Sequence, residues 1–341
     1  MRTIAAGKLN SGMVIGHNLV YNGNVVIPKN TVVTFSLVNQ IISLFGYKTP
    51  VTVYEFPELK QLLFNDSTVA TSYIVYLIDS FGNIFNTQML TGVNLNNLVS
   101  TVHRYFFIDR NLLYEAVSLR YNHCYTYEHS LNVALYSLLI GMQLNLESDD
   151  LRNLIHGSIL HDIGKTKIPN SILDKPSSLT QEEFNEIKKH PLYGYNMIKK
   201  DKDISEKAKK IVLQHHEKLD GSGYPQGLTS RQINPLAKIV AVADIFDAVT
   251  SARAYHKQRT AHDGVNILLQ DASNKKISKD IIDALIKSII VLPVNTVVTL
   301  SNGVKGYVVE NCNSIRPVVY GFNNVVYDLR KHKSIKIIGV D

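Results

Sequence analysis

Cysteine is nearly missing from this 341-residue chain: only Cys124 and Cys312 occur, 188 residues apart. So wide a pair in a cysteine-poor chain excludes a disulfide framework and favours a reducing setting. No thiolate cluster or haem-attachment motif is present, which leaves electron transfer without a carrier. Long apolar runs are lacking as well. The stretch 133–142 is interrupted by Ser137 and falls well short of the roughly 20 residues a membrane span needs. Residues 1–8 lack the apolar segment of a signal peptide. The expectation is a soluble, cytoplasmic protein without membrane insertion. The net charge of +7 would suit an anionic partner, but the lysines are scattered over solvated helix faces. No basic patch with interleaved aromatics marks a nucleic-acid polymer as partner. Low-complexity segments and internal repeats are absent too.

Apolar residues at 45% suffice for real cores, and the length suggests two or three units at roughly 150 residues each. Residues 1–56 read as a small α+β module: strands at 13–15, 19–21 and 25–28 around the turn Asn22-Gly23-Asn24, a helix over 34–45 and a strand at 51–54. Residues 57–117 read as a helical linker region, with helices suggested near 95–99 and 107–119. Residues 118–290 follow a helical period, with helices at 131–142, 151–163, 181–189, 205–217, 235–249 and 280–290. Thr180-Gln-Glu-Glu183 is a capping box that starts one of them. Beyond Val291 the period becomes two, and strands at 296–300, 306–309, 317–320, 325–329 and 335–340 form a small β module over 291–341. The fold class is thus mainly α, a helical bundle flanked by an N-terminal α+β and a C-terminal β module.

Within the bundle, His161-Asp162 and His215-His216 lie on apolar helices, and Asp244 lies inside the apolar run 239–246. Burying such groups without partners or metal is unfavourable by several kcal/mol per charge. With His129 and His190 they make five imidazoles and two carboxylates, more than one tetrahedral or octahedral ion uses. On a helix the side chains of His161 and Asp162 diverge by about 100°, so a carboxylate bridging two ions fits better than one ion between them. The intervals 129 to 161, 162 to 190, 190 to 215 and 216 to 244 are 32, 28, 25 and 28 residues. A return to one end of an up-and-down bundle takes roughly 25 to 35 residues. Taken alone, His129 in an amphipathic helix, or His190 before Pro191 at a helix end, would be structural residues; their force is collective.

Two close cations suit phosphoester hydrolysis, because they acidify a bridging water and offset charge developing on phosphate oxygens. Lys165, three residues after Asp162 and on the same helical side, is either a phosphate contact or a surface lysine. The segment Glu217-Lys-Leu-Asp220-Gly-Ser-Gly-Tyr-Pro225 is a shaped loop beside the ligands. Glu217 and Asp220 either orient imidazole N–H groups or face water.

The ordered blocks His161-Asp-Ile-Gly-Lys165, Ile168-Pro169, Leu173-Asp-Lys-Pro176, Leu179-Thr-Gln-Glu-Glu-Phe184, His190-Pro191, His215-His-Glu217, Asp220-Gly-Ser-Gly-Tyr-Pro225 and Val242-Ala-Asp-Ile-Phe-Asp-Ala248 resemble the HD-GYP family, a branch of the HD superfamily of metal-dependent phosphohydrolases. The resemblance covers about residues 118–290, half the chain. It implies a helical bundle with two divalent ions, Fe or Mn, that hydrolyses cyclic di-GMP to pGpG, and in many members on to GMP, by metal-activated hydroxide. By motif position His129, His161, Asp162 and Asp244 would hold one ion, and Asp162, His190, His215 and His216 the other. Asp162 and Lys165 would be catalytic; Lys165, Arg253, Lys257 and Tyr224 would bind substrate. GGDEF or other signalling proteins would dock through the Gly-Tyr-Pro loop, and a homodimer is left open.

Three departures qualify the resemblance. A Glu that helps some members hold a third ion is Tyr125 here, so two ions are expected. The family's Arg-Pro-Tyr-Lys/Arg segment reads Arg253-Ala-Tyr-His256-Lys257, which weakens the phosphate grip expected there. Ala252 stands where an Asp is frequent. These changes keep two alternatives in view: a non-catalytic cyclic di-GMP sensor, and a hydrolase of another cyclic dinucleotide.

Overall fold

Alternating apolar residues and an Asn-Gly step shape the beginning of the chain. In this computed structural model, which describes residues 1–10, 12–55, 58, 59, 62, 125–251, 259–310 and 314–340, strands β2 (Leu19–Tyr21) and β3 (Asn24–Ile27) form an antiparallel hairpin. Asn22 and Gly23 turn it at φ 49° and 81°, the positive dihedrals that a tight hairpin turn requires. Strand β1 (Arg2–Ala5) pairs antiparallel with β4 (Pro50–Val53), Arg2 opposite Val53. Between them α1 (Phe35–Phe45) begins where the Thr34 hydroxyl accepts from Leu37 N–H at 3.2 Å. Its Ile41 packs with Ala6, Leu9, Ile15, Ile27, Val33, Val51 and Val53 into a core. The expected strand at 13–15 is reduced to bridges, Val14 to Val32 and Ile15 to Val53. These elements lie in the first of two compact units, Met1–His123; Cys124–Asp341 is the second. The helices expected near 95–99 and 107–119 lie outside the described residues.

The second unit is helical and then β. Its helices are α2 (Tyr125–Gln143), α3 (Ser148–Leu160), α4 (Asn170–Leu173), α5 (Gln181–Ile187), α6 (His190–Ile198), α7 (Glu206–Gln214), α8 (Pro235–Thr250), α9 (Ala261–Ser273) and α10 (Lys279–Ser288). Helices α2 and α8 are apolar nearly all round, as buried helices must be. Leu131, Leu135, Leu138 and Ile140 of α2 and Leu236, Val240, Val242 and Phe246 of α8 are buried. Tyr136 meets Phe246 edge to face at 5.0 Å where the two helices pack. Helix α3 packs on α2 and α7, α6 on α7, and α9 and α10 on α8.

Capping signals set several boundaries. Thr180 and Glu183 form the expected capping box of α5, Ser205 caps α7, and Asn234 with Pro235 opens α8. Among the boundaries that differ from the sequence expectation, three bear on the cluster of imidazoles. Helix α3 stops at Leu160 rather than residue 163: the backbone leaves the helix at Asp162 (φ −97°, ψ 3°) and resumes as a 3-10 helix, Ile163–Lys167. His190 opens α6 rather than closing a helix, because Pro191 fits the first turn, where its missing N–H is not needed. Helix α7 ends at Gln214, before the His pair.

The C-terminal strands β5 (Val297–Leu300), β6 (Lys305–Glu310), β7 (Val318–Gly321), β8 (Val326–Asp328) and β9 (Ile337–Val340) agree with the five expected. They form one antiparallel sheet in the order β8-β7-β6-β5-β9. Its inner face buries Val298, Leu300, Val308 and Val319. Among the described residues no helix is long and apolar enough to cross a membrane.

Candidate metal centre

Four of the seven expected donors sit at or near helix ends and a fifth just past one: His129 in the second turn of α2, His161 at the C-cap of α3, His190 at the start of α6, His215 at the C-cap of α7 and His216 just after it. Asp162 lies in the break after α3, and Asp244 within α8. The break brings Asp162 against α6. Gly164 makes this approach possible, since a Cβ there would overlap the His190 carbonyl and come within 2.5 Å of Gly194 N.

Backbone carbonyls orient three imidazoles in the same way. The Nδ1 atoms of His161, His190 and His215 lie 2.6, 2.7 and 2.9 Å from the carbonyls of Ser158, Ile187 and Val212, each three residues earlier. An N–H at Nδ1 fixes the tautomer and leaves Nε2 as an acceptor. His129 is held differently, its Nδ1 2.8 Å from the Asp247 carboxylate. Sequence reasoning gave Asp247 no role, although it lies three residues after Asp244, on the same side of α8.

The free ring nitrogens converge on Asp162 from two directions. Its Oδ2 lies 3.4 Å from His161 Nε2 and 3.7 Å from His129 Nε2. Its Oδ1 lies 3.2 Å from His190 Nε2 and 4.0 Å from His215 Nε2. Asp244 reaches His129 Nε2 at 3.2 Å and His216 Nδ1 at 3.8 Å. Two sets of donors result, Asp162, His190, His215 and His216 in one and His129, His161 and Asp244 in the other, with the atoms of each set within 4.8 Å of one another.

This donor set fits divalent metal. His161 Nε2 and Asp162 Oδ1 are buried without a hydrogen-bond partner, which costs free energy unless something else binds them. The Nε2 atoms of His190 and His215 face each other at 3.2 Å while each Nδ1 is engaged by a carbonyl. Two lone pairs so placed call for a cation. Burial disfavours charge on Asp162, yet Lys165, with Nζ 2.6 Å from Oδ2, and the imidazoles of His161 and His190 hold its carboxyl well below the usual range. Asp244 is likewise depressed despite burial, chiefly by His129. Burial pushes His161 down, His216 to about 3 and His215 well below normal. His129 is the exception: burial opposes its charge, but bonds to Asp244 and Asp247 raise it to about 10. Ionised carboxylates and neutral imidazoles are the forms that ligate metal, so loading would displace a proton from His129.

The centre opens toward solvent on one side, where the His216 side chain is 25% and that of Lys165 34% exposed. The Tyr224 ring lies 4.8 Å from that of His216, tilted by 34°. Glu217 and Asp220 do not orient imidazoles. Buried Glu217 accepts from the Gln226 and Leu228 N–H groups at 2.7 and 2.9 Å and so pins the Gly-Tyr-Pro loop; Asp220 accepts from Ser222 N–H and Oγ. The i, i+3 relation between Asp162 and Lys165 survives without the expected helix, because a 3-10 turn also brings such residues together. Arg253 and Lys257 lie outside the described residues.

A family profile described as HD domain matches residues 111–281. A cyclic di-GMP phosphodiesterase of Pseudomonas aeruginosa is 33% identical over 223 residues, 65% of this chain and 53% of that protein. A 3′3′-cGAMP-specific phosphodiesterase of Vibrio cholerae is 35% identical over 169 residues, 50% of this chain and 36% of that protein. The chain thus spans about half the length, or less, of these curated relatives. Among solved structures, an HDG"Y"P protein from Bdellovibrio bacteriovorus shares the fold, with a TM-score of 0.55 at 18% identity over 83% of this chain and 97% of that one.

Proposed function

This chain belongs to the HD domain family, and from that premise we propose that it is a metal-dependent phosphodiesterase that opens cyclic di-GMP to pGpG and carries it on to GMP. The observation that carries this reading is Asp162, which turns one oxygen toward His129 and His161 and the other toward His190 and His215. A shared carboxylate between two imidazole sets supports two ions, with iron or manganese proposed. His129, His161, Asp162 and Asp244 would hold one, and Asp162, His190, His215 and His216 the other. When bound, such a pair supplies an acidified water and offsets charge on phosphate oxygens.

The chain's own residues supply the rest. Lys165 stands at the mouth as a point charge for the phosphate, with Asp162 as its resting partner. Tyr224 walls the opening beside His216, and Glu217 keeps that wall in place. Arg253 and Lys257 are proposed as further phosphate contacts on their motif positions alone. In the overall hydrolysis a water oxygen forms the new bond to phosphorus, the ribose 3′-oxygen leaves, and the water's protons are shared between leaving group and solvent. The proposed setting is the cytoplasm, supported by two widely separated cysteines. GGDEF or similar signalling proteins are the proposed partners of the Gly-Tyr-Pro loop.

Protein reconstituted anaerobically with Fe(II) or Mn(II) should linearise cyclic di-GMP. No turnover with any divalent metal at full occupancy, with ligand bound and intact, would replace this reading with that of a sensor. A second substrate reading is favoured by the relative named for 3′3′-cGAMP. Competition between the two cyclic dinucleotides decides it by the ratio of kcat/KM values.

A further inference from the structure

Lys188 follows the last residue of α5 and carries a charge that no carboxylate among the described residues neutralises. Its neighbours are paired: Lys175 with Glu183 at 2.6 Å and Lys189 with Glu186 at 2.7 Å. Lys188 has no carboxylate partner among the described residues. Its ammonium lies instead over two aromatic rings, 4.7 Å from the centroid of Phe184, one turn back on α5, and 5.8 Å from that of Tyr224. A lysine over a ring four residues away is ordinary on a helix surface. Tyr224 makes this one different, because it comes from the Gly-Tyr-Pro loop and its ring is 4.8 Å from that of the donor His216. Phe184, Lys188, Tyr224 and His216 form a row leading from the surface to the metal centre, and Phe184 at its outer end is 42% exposed.

We propose that Lys188 contacts the second phosphate of the dinucleotide, the one not being cleaved, and that Phe184 is a positioning residue that holds the ammonium at that place. The inference rests on the proposed function. A cyclic dinucleotide carries two phosphates. With one at the metal centre, the other lies a nucleotide away and needs a cation of its own. Lys165 is committed to the centre through Asp162, whereas Lys188 has no carboxylate partner among the described residues and stands over Tyr224, next to His216. Ring faces attract an ammonium without neutralising it, so the charge stays available to an anion.

The test compares steady-state kinetics of the metal-loaded full chain on cyclic di-GMP and on bis(4-nitrophenyl) phosphate, a diester with a single phosphate. Lys188→Met, which keeps the apolar stem, should raise KM for cyclic di-GMP by about tenfold, the usual size of a charge-assisted contact, and should change kcat less. The loss should be about tenfold greater on the dinucleotide than on the small diester. Added salt should weaken the wild type more than the variant. Lys188→Arg should recover most of the loss, and Phe184→Leu should shift KM the same way by a smaller factor. A KM for Lys188→Met within about twofold of wild type, or equal losses on both substrates, would overturn the contact. Wild-type turnover of the small diester with none of cyclic di-GMP would overturn the proposed function and this contact with it.

Discussion

Asp162 stays ionised against its burial because Lys165 stands 2.6 Å from Oδ2, yet truncating the two residues should have different results. Asp162→Ala takes the shared carboxylate from both proposed ion sites, so metal content should fall to background and turnover with it. Lys165→Ala removes no donor. Metal content by elemental analysis should stay near wild type while kcat falls by about 10²-fold, the usual scale for one lost electrostatic contact to a reacting group. Equal metal loss in both variants would show that the roles are assigned wrongly. The cluster itself was legible because imidazoles and carboxylates interrupt runs that otherwise read as core. Asp247 was not, because a carboxylate on a helix reveals its partner only when the neighbouring helix is in place, here α2 with His129. Glu217 misled for a related reason. Its position after two histidines suggested an imidazole partner, but its carboxylate turns back to its own loop.

At the scale of elements, the contact between the 3-10 helix and α6 sets where His190 meets Asp162. Gly164→Ala should therefore do more than loosen packing. Displacing His190 should lower metal affinity along with stability, the latter by about 1–3 kcal/mol as for other overpacked sites. Denaturation of metal-free protein and metal titration measure the two effects, and a loss of stability with unchanged metal affinity would refute the link. Element types were largely readable from period and capping, as the box at Thr180 and the five C-terminal strands show. The end of α3 was not, since His161 through Ile163 carries no residue that stops a helix and the stop comes from packing of Gly164 on α6. Helix α9 carries only a weak sequence signal as well. Its box closes with Asp263 instead of Glu or Gln, and its buried face includes His262 and Gly264 among few apolar residues.

Across the whole molecule, acid stability should carry the mark of a histidine outside the centre. Buried His156 of α3 has no partner at Nε2, and desolvation depresses it from 6.5 to about 4. Its stabilising effect is full above pH 6.5, where it is neutral in both states, and is lost as pH falls toward 4, where the unfolded chain takes up the proton first. The effect is on the order of 3 kcal/mol by the usual conversion. His156→Leu should flatten the unfolding free energy between those pH values; an unchanged slope would exclude the assignment. The donors themselves all fall between residues 129 and 244, and the groups that aim four of the imidazoles, the carbonyls of Ser158, Ile187 and Val212 and the carboxylate of Asp247, fall within or just beyond that span. Such a centre brings its own scaffolding. A change confined to residues 1–55, which lie in the other compact unit, should therefore leave all four rings oriented as they are.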